Sequence, residues 1–162
     1  MLYVDDVLVI SESAEKVLRN EIGQHFVLRD ESIGPPSQYL GGKLRLVTLD
    51  NGVKAWAFGS CQYVQSAVKN VEEHLAKIGE KLPYIAPTPL SSGYCPEIDV
   101  SPELGEADAS YFHSLIGVLH WIVELGRVDL DVEVSMMSSH LALPREGHLK
   151  EIYHIFAYLK AH

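Results

Sequence analysis

Residues 2–10 read Leu2-Tyr3-Val4-Asp5-Asp6-Val7-Leu8-Val9-Ile10, two apolar arms around a pair of aspartates. Tyrosine, valine and isoleucine suit a pleated, half-buried surface, whereas aspartate is a poor strand former and a good turn former. The stretch predicts a tight antiparallel hairpin with Asp5 and Asp6 at its tip. Consecutive residues of a strand point to opposite faces. Two adjacent carboxylates therefore reach one cleft only where a turn bends the chain between them. The pair has two readings, a solvated turn or one wall of a cation site. A pair of divalent cations about 3.5–4 Å apart would need hard oxygen ligands, including at least one more carboxylate from another backbone segment.

Outward from the hairpin, Ser11-Glu12-Ser13 offers caps and acidic residues suited to a helix N-terminus. Ala14, Val17, Leu18, Ile22, His25 and Phe26 then recur at helical spacing and predict an amphipathic helix of about three turns. Gly34-Pro35-Pro36 stops regular structure. Tyr39 to Val47 predicts a strand relaxed at Gly41-Gly42, Asp50-Asn51-Gly52 a turn, and Val53 to Phe58 a returning strand. Gly59-Ser60 opens a helix carrying Val64, Ala67, Val68, Val71, Leu75 and Ile78 on one face, with Gly79 as its stop.

The five prolines between Glu80 and Ala107 leave little periodicity, which predicts an extended linker or surface loop and the best boundary in the chain. Three helices follow. The first buries Tyr111, Phe112, Leu115, Ile116, Leu119, Ile122 and Val123 and ends at Gly126. The second is capped by Asp129 and ends before Pro144, and the third, from Arg145, carries Leu149, Ile152, Tyr153, Phe156 and Leu159. The fold class is α+β: a small mixed part followed by an all-helical one. A sheet that opens on a hairpin arm of two or three residues is expected to lack its earlier strands.

A length of 162 residues fits one domain or two small subdomains. Apolar runs such as Val7–Ile10 are too short to cross a bilayer, and no secretion signal is readable, so neither membrane nor export is expected. Cys61 and Cys95 have no CxxC spacing and are expected as reduced thiols. The eight histidines form neither HExxH nor a Cys/His quartet, which leaves a zinc or haem protein with composition alone behind it. The net charge of −9 opposes a stand-alone nucleic-acid binder, whose affinity comes largely from neutralising phosphates. Either the chain binds no nucleic acid, or the basic surface lies in another part.

Tyr3-Val4-Asp5-Asp6 resembles the YVDD box of reverse transcriptases, and further segments are similar to those of copia-type retrotransposon enzymes in the same order. These are Phe26-Val27-Leu28-Arg29-Asp30 with Ile33-Gly34, Tyr39-Leu40-Gly41-Gly42-Lys43-Leu44, and Ser60-Cys61-Gln62-Tyr63. Tyr111 to Gly117, Arg127 to Asp129, Pro144 with His148, and Tyr158-Leu159-Lys160 continue the series. The likeness covers nearly the whole chain. It implies a partial reverse-transcriptase palm (catalytic hairpin, helix, short antiparallel strands) over residues 1–59 and a thumb-like helix over 60–79. A Pro-rich linker over 80–106 and a helical connection region over 107–162 complete it.

By the same resemblance, Asp5 and Asp6 correspond to the paired catalytic aspartates that bind two Mg²⁺, and Tyr3 to the aromatic beside the primer terminus. Gly41, Gly42 and Lys43 fall where the family positions the primer backbone. Lys69 or Lys77 would face the duplex, or simply the solvent. Arg127-Val128-Asp129 departs from the family's R-P-D, with Asp129 still expected to cap a helix. His148 is expected as a packed histidine. The implied reaction is RNA-directed DNA synthesis on an RNA or DNA template-primer with deoxynucleoside triphosphates, in the cytoplasm or nucleus.

The family's other metal-binding aspartate, its fingers and its RNase H domain are not read in this sequence, so negligible activity is expected of the chain alone. The rival expectation is a non-catalytic remnant, or a helical interaction module built on residues 107–162.

Overall fold

The computed structural model describes residues 2, 3 and 6–162; the side chains of Leu2, Tyr3, Asp6 and Ser32 are not described. The chain divides into two compact units, Met1–Gly59 and Ser60–His162, and the class is α+β.

In the first unit, β1 (Leu2–Tyr3) pairs antiparallel with β2 (Asp6–Val7), Leu2 opposite Val7 and Tyr3 opposite Asp6. The predicted helix is present but irregular. It runs as α1 (Ala14–Lys16), a π-turn over Val17–Glu21 and a 3₁₀ turn over Ile22–Gln24, and none of these residues is buried. Phe26 lies beyond its end and is exposed. Regular helices draw most of their stability from packing an apolar face, and here Val17, Leu18 and Ile22 are only partly buried. Arg19 tethers it instead, donating to Glu15 Oε1 at 2.9 Å and to Asp30 Oδ1 at 2.7 Å.

The sheet of this unit is a meander of β3 (Gln38–Tyr39), β4 (Gly42–Thr48) and β5 (Lys54–Gly59). The single strand expected from Tyr39 to Val47 is broken, because Leu40 and Gly41 both take positive φ, +50° and +82°. That pair of left-handed residues makes the two-residue hairpin turn that matches strand twist. The second turn forms at the expected residues. Gly52 N–H donates to Leu49 O at 2.8 Å, Leu49 N–H to Val53 O at 2.8 Å, and Val53 N–H to Asn51 Oδ1 at 3.0 Å.

Leu44 faces Phe58 and Leu46 faces Trp56 across β4 and β5, so one side of the sheet is apolar. Among the described residues of the unit, Tyr39 is the one large apolar side chain that is buried; Leu46, Trp56 and Phe58 are exposed.

The second unit has a full core. Helices α2 (Cys61–Lys77), α3 (Glu106–Glu124), α4 (Asp131–Ser138) and α5 (Glu146–Ala161) bury Val68, Val71, Leu75, Phe112, Leu119, Ile122, Ile152 and Phe156 against one another. Two helices stop in the same way. At the end of α2, Glu80 N–H reaches Leu75 O (2.9 Å) and Gly79 N–H reaches Ala76 O (3.3 Å). At the end of α3, Arg127 N–H reaches Ile122 O (3.2 Å) and Gly126 N–H reaches Val123 O (2.8 Å). Gly79 and Gly126 supply the positive φ that this paired cap requires. Ile78, expected on the apolar face of α2, instead follows the helix as its C-cap and is exposed.

The proline-rich stretch does not separate two bodies. It lies within the second unit and runs antiparallel along α5 as a strap, held level by level. Thr88 O meets His154 Nε2 (3.0 Å), Ser91 N–H donates to Glu151 Oε2 (3.0 Å), and Pro96 O meets His148 Nε2 (3.2 Å). Glu146 N–H then donates to Pro102 O, and Leu104 N–H to Pro144 O, both at 3.0 Å. Proline cannot donate, yet each of these residues keeps a carbonyl that can accept. Periodicity registers neither fact.

Candidate functional site

The residues singled out by sequence fall on both units. Of the aspartate pair, Asp5 lies outside the described residues, as does Val4. Asp6 is the first residue of β2, its backbone paired with Tyr3. Among the described residues, no three His, Cys, Asp or Glu side chains gather as a metal site would require. The described residues thus do not by themselves assemble a cage for two Mg²⁺.

Gly41, Gly42 and Lys43 stand together at the β3–β4 turn. Gly42 opens β4 directly under Phe58, and a Cβ there would overlap the ring. Lys43 is exposed and, by strand alternation, lies on the sheet side away from Leu44 and Phe58. Arg45 shares that side, so the turn and the adjoining strand present two cations, with the close backbone packing that glycine permits. Lys69 is exposed on α2 and lies 3.7 Å from Glu73, one turn on. Lys77 is exposed at the last turn of the same helix, and Cys61 and Cys95 are both free and exposed.

Asp129 does not cap a helix. A 3₁₀ turn over Val128–Leu130 intervenes, and Leu130 is the residue that precedes α4. The carboxylate is instead gripped by Arg127, Nε to Oδ1 at 2.9 Å and Nη2 to Oδ2 at 2.8 Å, while Tyr158 donates to Oδ2 at 3.2 Å. The Arg127 guanidinium also sits 5.7 Å from the Tyr158 ring centroid. The hydrogen bonds from Arg127 hold the Asp129 carboxyl below its ordinary range and outweigh the opposing effect of burial. The fork of an arginine fits a carboxylate two residues away without needing the intervening proline. Two elements far apart in sequence, Arg127–Asp129 and Tyr158–Lys160, thus belong to one contact.

The densest polar cluster was not singled out in the sequence. Where the strap crosses the start of α5, Asp99 accepts from Tyr94 OH and from Ser101 N–H, both at 2.8 Å. Ser101 Oγ accepts Gly147 N–H at 2.8 Å, and Arg145 Nη1 donates to Ser101 O at 2.6 Å. Burial works against the Asp99 anion, but the bonds from Ser101 and Tyr94 win and hold its carboxyl down at about 2. Burial, reinforced by Asp99, pushes the Tyr94 phenol well up. His148, buried as its apolar neighbours predict, completes the first turn of α5 by accepting Arg145 N–H on Nδ1 at 3.1 Å. Pro144 ahead of His148 was the available signal. A residue that breaks a helix, followed by one able to close the next helix's first turn, marks a helix start.

This cluster fastens backbone; its groups hold a strap and a helix end. No protein-family model, curated protein or solved structure matches the chain. No helix among the described residues is long and apolar enough to cross a membrane.

Proposed function

We propose that this chain is the part of a copia-type retrotransposon reverse transcriptase that runs from the catalytic hairpin through thumb and connection. In that reading Asp5 and Asp6 supply one wall of a Mg²⁺ site for nucleotidyl transfer to a primer 3′-hydroxyl. The observation that carries it is the antiparallel pairing of Tyr3 with Asp6 inside the Tyr-Val-Asp-Asp box, followed in order by the other matching segments. Support comes also from the exposed apolar side of the β4–β5 sheet. A palm fragment would turn such a side toward further polypeptide, which would bring the remaining carboxylate and the basic surface. Template-primer and deoxynucleoside triphosphate are then partners of the assembled enzyme, in cytoplasm or nucleus, and this stretch alone is inactive.

Iron-directed cleavage tests the reading. Fe²⁺ bound at a Mg²⁺ site generates hydroxyl radicals that cut adjacent backbone. The expected result is cutting centred on the hairpin, competed by Mg²⁺ and lost in Asp5→Asn/Asp6→Asn. Cutting elsewhere only, or cutting indifferent to the double substitution, would overturn it.

One observation favours a second reading, a helical interaction module. Residues 60–162 bury a complete core of their own, whereas among the described residues of the first unit Tyr39 is the one large apolar side chain that is buried.

A further inference from the structure

Two fasteners of the strap pass through imidazoles, His154 at Thr88 and buried His148 at Pro96, and the buried one also closes the first turn of α5. His148 is 2% exposed, and both of its nitrogens are used: Nδ1 accepts Arg145 N–H at 3.1 Å, and Nε2 meets Pro96 O at 3.2 Å. An acceptor on Nδ1 and a donor on Nε2 define one neutral tautomer. A proton added to Nδ1 would set N–H against N–H in a buried place, a cost comparable to a lost hydrogen bond. The ring must then swing, and Nε2 leaves Pro96 O.

A second imidazole stands beside it. The ring centroids of His140 and His148 are 4.3 Å apart. Burial first, and His148 next, hold His140 below the ordinary histidine range. The groups facing the pair act in both directions. From the strap, Glu97 and Asp99 draw a proton toward it, and Tyr94 is spent on Asp99. At the start of α5, Arg145 repels one and is itself turned to Ser101 O and Glu103. From α3, the Phe112 ring, 6.4 Å from His148, adds only apolar surroundings, and His113 is engaged with Leu141 O.

We propose that the His140–His148 pair is an acid-sensitive latch, whose protonation releases the strap around Pro96 and the first turn of α5 while the helical core stays folded. Release of this kind needs no global unfolding, because the Ser91–Glu151 and Thr88–His154 links hold the rest of the strap independently.

Hydrogen exchange of the full chain at pH 7.4 and 5.5, corrected for intrinsic rates, tests the latch. Peptides covering 95–104 and 145–149 should lose about tenfold in protection at the lower pH, with α2 and α3 unchanged. His148→Gln supplies an amide oxygen for Arg145 N–H and an amide donor for Pro96 O without titrating, so it should keep its protection at pH 5.5. Equal protection of the wild-type protein at both values, or the same acid loss in His148→Gln, would overturn the proposal. Should that variant not fold, imidazole ¹⁵N shifts of the wild-type protein decide. A protonated Nδ1 at pH 7.4, or Ser101 and Gly147 amide signals that do not follow the histidine titration, contradicts the latch.

Discussion

Leu40 sits at φ +50° in the β3–β4 turn, a left-handed conformation that costs a branched residue about 1 kcal/mol. Leu40→Asn should therefore raise the stability of the first unit by about 0.5–1 kcal/mol, read as a higher denaturant midpoint. Gly147 makes the opposite case. Helix propensity alone says that alanine there stabilises, but a Cβ would collide with the Asp99 carboxylate, which Tyr94 and Ser101 hold in place. Gly147→Ala should destabilise by about 1–3 kcal/mol despite its better propensity, and a rise in melting temperature would refute that packing. The sequence marks neither residue. Gly41-Gly42 looked like a loosened strand because glycine pairs fit strands and turns alike, and the decisive φ belongs to the leucine beside them. Gly147 is isolated near a helix start, and only the carboxylate across from it explains it.

At the scale of elements, the legible parts were those in which a periodic apolar face meets a core. The faces of α2, α3 and α5, with the stops at Gly79 and Gly126, stand close to where periodicity and glycine place them. Gly126→Ala should cost about 1 kcal/mol, because the added Cβ opposes its φ of +110°. The helix after the hairpin shows the limit. Its spacing is helical, yet with its apolar face only partly buried its hydrogen bonds drift from α to π to 3₁₀ within three turns. The strap was illegible because its order comes from single hydrogen bonds to α5, which composition does not record.

The strap also sets an acid response. Asp99 has a folded carboxyl near 2 against an ordinary 3.8, so its contribution is complete above 3.8 and is lost as the pH falls toward 2. His140, lowered from 6.5, has the same sign: its contribution is complete above 6.5 and declines below it. Thermal melts should show His140→Phe flattening the stability profile just below pH 6.5 and Asp99→Asn flattening it between 3.8 and 2. A profile unchanged by both substitutions would remove these groups from the account.

Across the molecule, the two units differ in what holds them. The helical one closes around Phe112, Leu119, Ile122, Met137, Ile152 and Phe156, all fully buried, whereas in the first the sheet leaves its aromatic side open. Phe112→Ala should accordingly cost about 3–5 kcal/mol in the unfolding of residues 60–162. The α+β class was readable, since hairpin signals cluster before residue 60 and helical faces after it. The first unit ends at Gly59, the residue at which the resemblance ends the palm part, whereas the densest run of prolines, expected from composition as the best boundary, lies inside the helical unit. The site was legible only as a motif: the Asp-Asp pair points to a cation chemistry, and among the described residues no three His, Cys, Asp or Glu side chains gather to complete such a site.

Primer extension tests that chemistry most directly. It should be run on an RNA template with Mg²⁺, using this chain as it stands and the same chain joined behind the fingers and upstream palm of a copia-type reverse transcriptase. The account predicts no incorporation by the first, and incorporation by the second that Asp5→Asn abolishes. Incorporation that survives Asp5→Asn, or none from the extended protein, would contradict it.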